Sequence, residues 1–193
     1  PILPKKSKRR PPMEEERPTP QLQDAEGTRQ KLESWLSAHH GHSVHIPKLD
    51  LPESTGMSNV TLLFDVEWWA GGDIRRESLV GRLQPQVARP VFPTYDLSLQ
   101  YEVMDSLGRH SDIPVPELRG LELDPSVLGV QFYLMKHTPG RIPTDVPPYN
   151  LDGWMLHETT EDQRASMWRA GIDTLARFHR LDYRALGFER LQV

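Results

Sequence analysis

Two neighbouring runs, Val60 to Trp69 and Ser78 to Leu83, constrain the fold of this chain more than any other feature. Both are rich in β-branched, aromatic and aliphatic residues, and the AGGDIRRE segment between them carries a Gly-Gly turn signal. The pattern predicts a β-hairpin. A hairpin alone is marginal in water and needs more strands or a helix to cover its apolar face. Leu118 to Leu123 and Val130 to Lys136 read as a second strand pair around a DPSVLG turn. The spacing of Leu32, Trp35 and Leu36 predicts a short amphipathic helix from Thr28 to Ala38, with Gly41 at its stop. A second helix is predicted from Asp96 to Leu107, ending at Gly108, and DIPVPEL is extended because residues before proline leave the helical region. After a Pro-rich loop from Thr138 to Gly153, a long helix is predicted from about Thr160 to His179. Its apolar positions are Met167, Ala170, Ile172, Leu175, Ala176 and Phe178. A sheet interrupted by one helix and followed by a helical region is an α+β arrangement.

Composition removes several function classes. The 23 Lys and Arg against 27 Asp and Glu leave a net charge of −4, which argues against broad nucleic-acid binding. The absence of Cys excludes a disulfide scaffold, a thiol nucleophile and Cys-ligated metal. With a mean hydropathy of −0.58 and no apolar run near the ~18 residues of a membrane span, no membrane partner is expected. The first twenty positions hold six Pro and six Lys or Arg, so residues 1–27 read as a disordered tail. No apolar run follows those charges as in a secretory signal, and the expected location is the cytoplasm. His39, His40, His42 and His45 invite a metal reading, but no carboxylate or Cys accompanies them. The reading preferred is an exposed helix cap.

Several residues carry chemical interest. The loop Ser54, Thr55, Gly56, Met57, Ser58 and Asn59 precedes the first hairpin strand, and a Gly among small hydroxylated neighbours lets backbone N–H groups approach a phosphate. Arg82 is a single cation in the apolar run LVGRL, where a buried charge needs a partner or a ligand. Projecting the 96–107 helix at 100° per residue puts Gln100 inside the apolar arc and Glu102 nearly opposite, so Gln100 is the better candidate to face Arg82. The strand through Met135 and Lys136 breaks at His137 and Thr138 into a Pro-Gly turn, as a linker between two lobes would. Two groups are set aside. His110-Ser111-Asp112 imitates a catalytic loop without the required Asn, and Asp65 and Glu67 imitate a metal pair but share a solvent-facing side of the hairpin. His179 reads as structural because Leu175 and Phe178 beside it look core-like. Tyr149, Trp154 and Met155 could either shape an acceptor pocket or pack the helical region.

Six motifs in order, STGMSN, LVGR, VFPTY, DIPVPEL, FYLMKHTPG and LARFH, resemble the aminoglycoside phosphotransferase and choline kinase branch of the kinase-like fold over roughly residues 30 to 187. The resemblance implies ATP-dependent phosphoryl transfer to a small-molecule hydroxyl, with nucleotide and acceptor as partners and Mg²⁺ as cofactor. Ser54 to Asn59 would then cover the phosphates and Arg82 would contact the α- and β-phosphates. Met135 would line the adenine pocket, and backbone groups of Lys136 and Thr138 would bond the adenine edge. The family usually has Glu where this chain has Gln100, so the usual ion pair with the strand cation is replaced by a neutral amide. The Asp and Asn that orient the acceptor and hold Mg²⁺ are expected beyond residue 193, because none of the residues after His179 supplies them. On this view residues 28–137 are the nucleotide lobe, and 138–193 are the hinge and first helices of an incomplete second lobe. Its uncovered apolar face would be open to self-association. The alternative is a non-catalytic nucleotide-binding or protein-interaction module.

Overall fold

In the computed structural model the described residues are 24–51, 60–85 and 95–191. Helix α1 (Ala25–His40) starts at Asp24, whose carboxylate accepts the Gly27 N–H. It stops at Gly41, where φ of +72° needs a residue without Cβ. The observed helix is longer than the Thr28 to Ala38 expectation at both ends, because an Asp24 cap and a Gly41 cap fix the ends and the apolar spacing does not. Val44–His45 forms a two-residue strand, β1, that sequence reading leaves inside the cap.

Strands β2 (Val60–Ala70) and β3 (Asp73–Leu83) form the expected hairpin. The second strand begins at Asp73, not Ser78: the turn needs only Gly71 and Gly72, at φ +63° and +86°. The charged DIRRE stretch is therefore strand, and Arg76 pairs across it with Glu67. Helix α2 (Leu97–His110) is capped by the Asp96 carboxylate, which accepts the Leu99 N–H. Gly108 does not stop it. The helix continues to His110 and is capped at Ser111, while the missing Cβ of Gly108 lets Val115 pack against the helix. Strands β4 (Leu118–Glu122) and β5 (Phe132–Lys136) complete a five-stranded antiparallel sheet in the order β1-β2-β3-β5-β4.

Alternation along the strands sorts the sheet into two faces. One face carries Leu62, Phe64, Leu79, Leu83, Phe132 and Leu134, and Leu32 and Leu36 of α1 close over it. The opposite face carries Thr61, Leu63, Val80, Arg82, Tyr133 and Met135, and α2 packs beside it against β4 and β5. After β5 come a short helix, α3 (Trp154–His157), and the long helix α4 (Glu161–His179). A full capping box, with Thr160 Oγ1 accepting the Gln163 N–H and Gln163 Oε1 accepting the Thr160 N–H, opens α4. No α4 residue is buried, which corrects the reading of Leu175 and Phe178 as core-like and removes the ground for reading His179 as structural: all three are exposed. The segment after α4 does pack, with Leu186 buried against Leu107 and Ile113.

Candidate functional site

The candidate site is the face of the sheet that α1 does not cover. Register builds it: Arg82 on β3 lies opposite Thr61 on β2 and Tyr133 on β5, and Val80 lies opposite Met135. Arg82 is thus on the face opposite the core, half-buried, rather than inside an apolar strand as the run LVGRL suggests. Its Nη1 donates to Thr61 Oγ1 at 2.8 Å, and Tyr133 is its cross-strand neighbour on β5. Tyr133 is buried and donates to Gln100 Oε1 at 3.4 Å, and its ring meets Tyr101 edge-on at 6.1 Å. Gln100 does belong to this cluster, reaching the Arg82 strand through Tyr133. Glu102 points elsewhere, pairing with Arg190 near the chain's C-terminal part and accepting from Ser98. Burial pushes the Tyr133 phenol up, against the pull of Arg82. Sequence reading missed Tyr133, although its signal is present: it is two residues before Met135 and therefore on the same face.

Met135 continues this face toward the chain that leaves the sheet. The Lys136 N–H donates to Glu117 O at 2.8 Å and the His137 N–H to Ser78 O at 2.8 Å, so the ladder runs one residue past β5. Any bond from the Lys136 backbone to a ligand must therefore come from its carbonyl. The Lys136 ammonium lies 3.4 Å from Glu117 Oε1. Arg119 makes a two-pronged bond to Glu77 at 2.6 and 2.7 Å and a further bond to Glu117 at 2.8 Å. The Arg119 bond holds the Glu117 carboxyl below its usual range, with Lys136 adding to the effect. Thr138 is exposed at the start of the Pro-Gly turn. A cleft of about 340 Å³ borders this end of the face, with Leu63, Asp65, Ser78 and His137 in its wall. The loop Ser54 to Asn59 lies outside the described residues.

The residues set aside have partners of their own, although Asp65 and Glu67 continue this face of β2 beyond Leu63. Asp65 accepts from Ser78 Oγ and Glu67 from Arg76. Ser111 is a helix cap and Asp112 pairs with Arg177 at 2.8 Å. The histidines do not converge as metal ligands would: His39 stacks on Trp35 at 4.9 Å, His40 on His42 at 5.8 Å, and His42 on Trp68 at 5.9 Å. Met155 is buried, while Trp154 lies under the Arg141 guanidinium at 4.4 Å and donates to Ile142 O.

Comparison with known proteins adds independent findings. A model of the phosphotransferase enzyme family matches residues 87–192, more than half of the chain. A solved structure from Ralstonia eutropha JMP134, a "putative aminoglycoside phosphotransferase", superposes with a TM-score of 0.58 at 24% identity, over 85% of this chain and 41% of that one. The shared fold is thus kinase-like. Among curated proteins, the "Probable acyl-CoA dehydrogenase IBR3" of Arabidopsis thaliana is 30% identical over 135 residues. The "Acyl-CoA dehydrogenase family member 11" of Gallus gallus is 32% identical over 137 residues. Both alignments take in 70% of this chain but only 15% of the relative, so the chain spans a small part of those proteins.

Proposed function

From the premise that the chain belongs to the phosphotransferase enzyme family, we propose that it forms the nucleotide-holding lobe and hinge of an ATP-dependent kinase for a small-molecule hydroxyl. One observation carries this reading. Arg82, Tyr133 and Met135 share a single sheet face that leads directly into the turn at Thr138, with Gln100 of α2 bonded to Tyr133 over it. A cation on a strand, half-buried and bonded to the Thr61 hydroxyl, suits the α- and β-phosphates of a nucleotide. Apolar Val80 and Met135 suit the adenine ring, and the Lys136 carbonyl and the Thr138 backbone suit its edge. Ser54 to Asn59 would cover the phosphates, as the family resemblance implies. The residues that orient the acceptor and hold Mg²⁺ are assigned to chain beyond residue 193. The location proposed is the cytoplasm. Among the described residues, no helix is long and apolar enough to cross a membrane.

The experiment is calorimetric titration of the chain with ATP, paired with turnover of the chain and of a C-terminally longer form against hydroxylated acceptors, including aminoglycosides, choline-like amines and hydroxyacyl thioesters. Nucleotide binding by the chain, lost in Arg82→Ala, is expected, with turnover only in the longer form. Robust turnover by the 193 residues would show that the catalytic groups lie within them.

A second reading, an interaction module, is favoured by α4. Met167, Trp168, Ile172, Leu175 and Phe178 are all exposed, and at helical spacing they occupy one arc of about 140°. We assign that stripe to contact with the rest of the helical lobe in a longer chain. Self-association through it is the competing outcome, which light scattering after size exclusion would reveal as a dimer broken by Trp168→Glu.

A further inference from the structure

Four charged side chains surround the end of β5, where the chain leaves the sheet: Glu77 of β3, Glu117 just before β4, Arg119 of β4 and Lys136 of β5 itself. They alternate in sign and close a ring. Lys136 lies 3.4 Å from Glu117, Glu117 2.8 Å from Arg119, Arg119 2.6 Å from Glu77, and Glu77 3.9 Å from Lys136. The Glu77 and Arg119 side chains are sheltered, at 16% and 21% exposed.

Arg119 reaches Glu77 because the ladder gives it no partner on β5. Leu118 pairs with Met135 and Gly120 with Leu134, so adjacent residues of β5 face residues two apart on β4, and Arg119 is the extra residue of a β-bulge. A bulge re-aims a side chain, and this one sends Arg119 across β5 to β3. Strands two apart are separated by roughly 10 Å, a gap that one long side chain from each side spans. The Arg119 fork holds both oxygens of Glu77, at 2.6 and 2.7 Å.

Resting on the reading of this face as a nucleotide site with the base at its linker end, we propose that Arg119 is a positioning residue for base binding. The backbone supports this. The Lys136 N–H is held by Glu117 O and the His137 N–H by Ser78 O, so one acceptor belongs to a residue of the ring and the other to the neighbour of Glu77. Arg119 ties those two acceptor strands to each other across Lys136. Without it, Glu77 and Glu117 are like charges with only the half-exposed Lys136 between them, and the two acceptors can separate. The Lys136 carbonyl and Thr138, assigned above to the base edge, follow directly on those amides. An edge held in place before the ligand arrives lowers the ordering cost of binding.

Arg119→Met keeps the apolar stem and removes the fork, and two measurements read it separately. Amide exchange by NMR is expected to speed up about tenfold at Lys136 and His137 and to stay at the parent rate around Leu32 in α1. Calorimetric affinities for adenosine and for ATP are expected to fall by one common factor, about tenfold, the size of a hydrogen bond at the base edge. Arg119→Lys should fall between, since one ammonium cannot reproduce the fork. Arg82→Ala, at the phosphate end, should weaken ATP and spare adenosine.

Unchanged exchange at Lys136 and His137 would overturn the positioning role, as would an adenosine affinity in Arg119→Met within about twofold of the parent. Leu32→Ala lowers the melting temperature from the core, away from the ring, and an equal loss of adenosine there would mean general loosening and overturn it too. If Arg119→Met does not fold, Lys136→Met is judged by the same two measurements, with about a threefold loss of adenosine expected. No binding of adenosine or ATP by the parent chain refutes the functional reading and this proposal together, whereas nucleotide binding that survives Arg119→Met intact refutes the positioning role alone.

Discussion

The sheet with α1 and the helix α4 are built from equally amphipathic sequence, yet they end in opposite states. Leu32, Leu62, Phe132 and Leu134 are fully buried between α1 and the sheet, whereas none of the 19 residues of α4 is buried. The sheet region supplies both halves of its own core. Helix α4 is held by local terms: its capping box, Glu161 and Asp162 in the first turn, Arg177 and His179 in the last. It is also anchored at its end, where Arg177 meets Asp112 and the following Leu181 and Phe188 pack near Leu107. Hydrophobic spacing therefore reports which face of a helix is apolar, and it is silent about what covers that face.

The largest effect that could break this contrast is in the core. Phe132→Ala is expected to cost about 3–5 kcal/mol in urea unfolding, from lost transfer energy plus the cavity left behind. Leu175→Ala in α4 is expected to cost less than about 1 kcal/mol, because its side chain is already 50% exposed. Equal costs would mean that α4 is covered in solution.

Gly120 comes next. At φ of +146°, a Cβ there would sit 2.5 Å from Trp35 Cη2 and 3.1 Å from His39 Nε2. Gly120→Ala should thus cost about 2–3 kcal/mol through strain and displacement of the Trp35 ring. The Trp35 indole donates to Glu122 Oε2 at 2.7 Å, so its fluorescence should shift in the same variant. A smaller effect belongs to α4 alone. Thr160→Ala removes the capping box and should cost about 1 kcal/mol of helix stability. Amide exchange should then speed up along α4 while the sheet amides keep their protection.

Much of this was legible in the chain, for reasons particular residues make plain. Asp96, Gly41 and Gly71-Gly72 are local signals, and each marks a boundary because one side chain or one positive φ decides it. Gly108 misled because a glycine inside a helix can serve close packing, here against Val115, as readily as it serves a stop. The face shared by Arg82 and Met135 follows from strand alternation, but the partner of each depends on register across sequence-distant strands. Gln100 was legible from helical phase. The face of Tyr133 was legible from its spacing to Met135, but its place beside Arg82 was not, since nothing local says that β5 lies beside β3. The exposure of Leu175 and Phe178 depends on what lies against α4, which helical phase cannot encode.

The smallest expected effect lies at the edge of the well-packed region, where α1 ends. His40 stands beside a cavity of about 170 Å³ that His42 and Trp68 line from the β1 side, Glu77 from β3 and Arg119 from β4. Its imidazole is held below the usual histidine range, first by burial and then by the positive charge of His39, His42 and Arg119, with Glu77 opposing. The folded chain then binds fewer protons at His40 than the unfolded chain does, so stability rises with pH through the window below about 6.5 and is lost as pH falls through it. Glu117, Asp124, Asp152 and Glu158 are all held below their usual carboxylate range and do not titrate in that window. The melting temperature is therefore expected to drop between pH 7 and about 5.5 in the parent chain, and to drop less in His40→Gln. Identical slopes would place the proton uptake away from the end of α1 and leave His40 no part in the acid sensitivity.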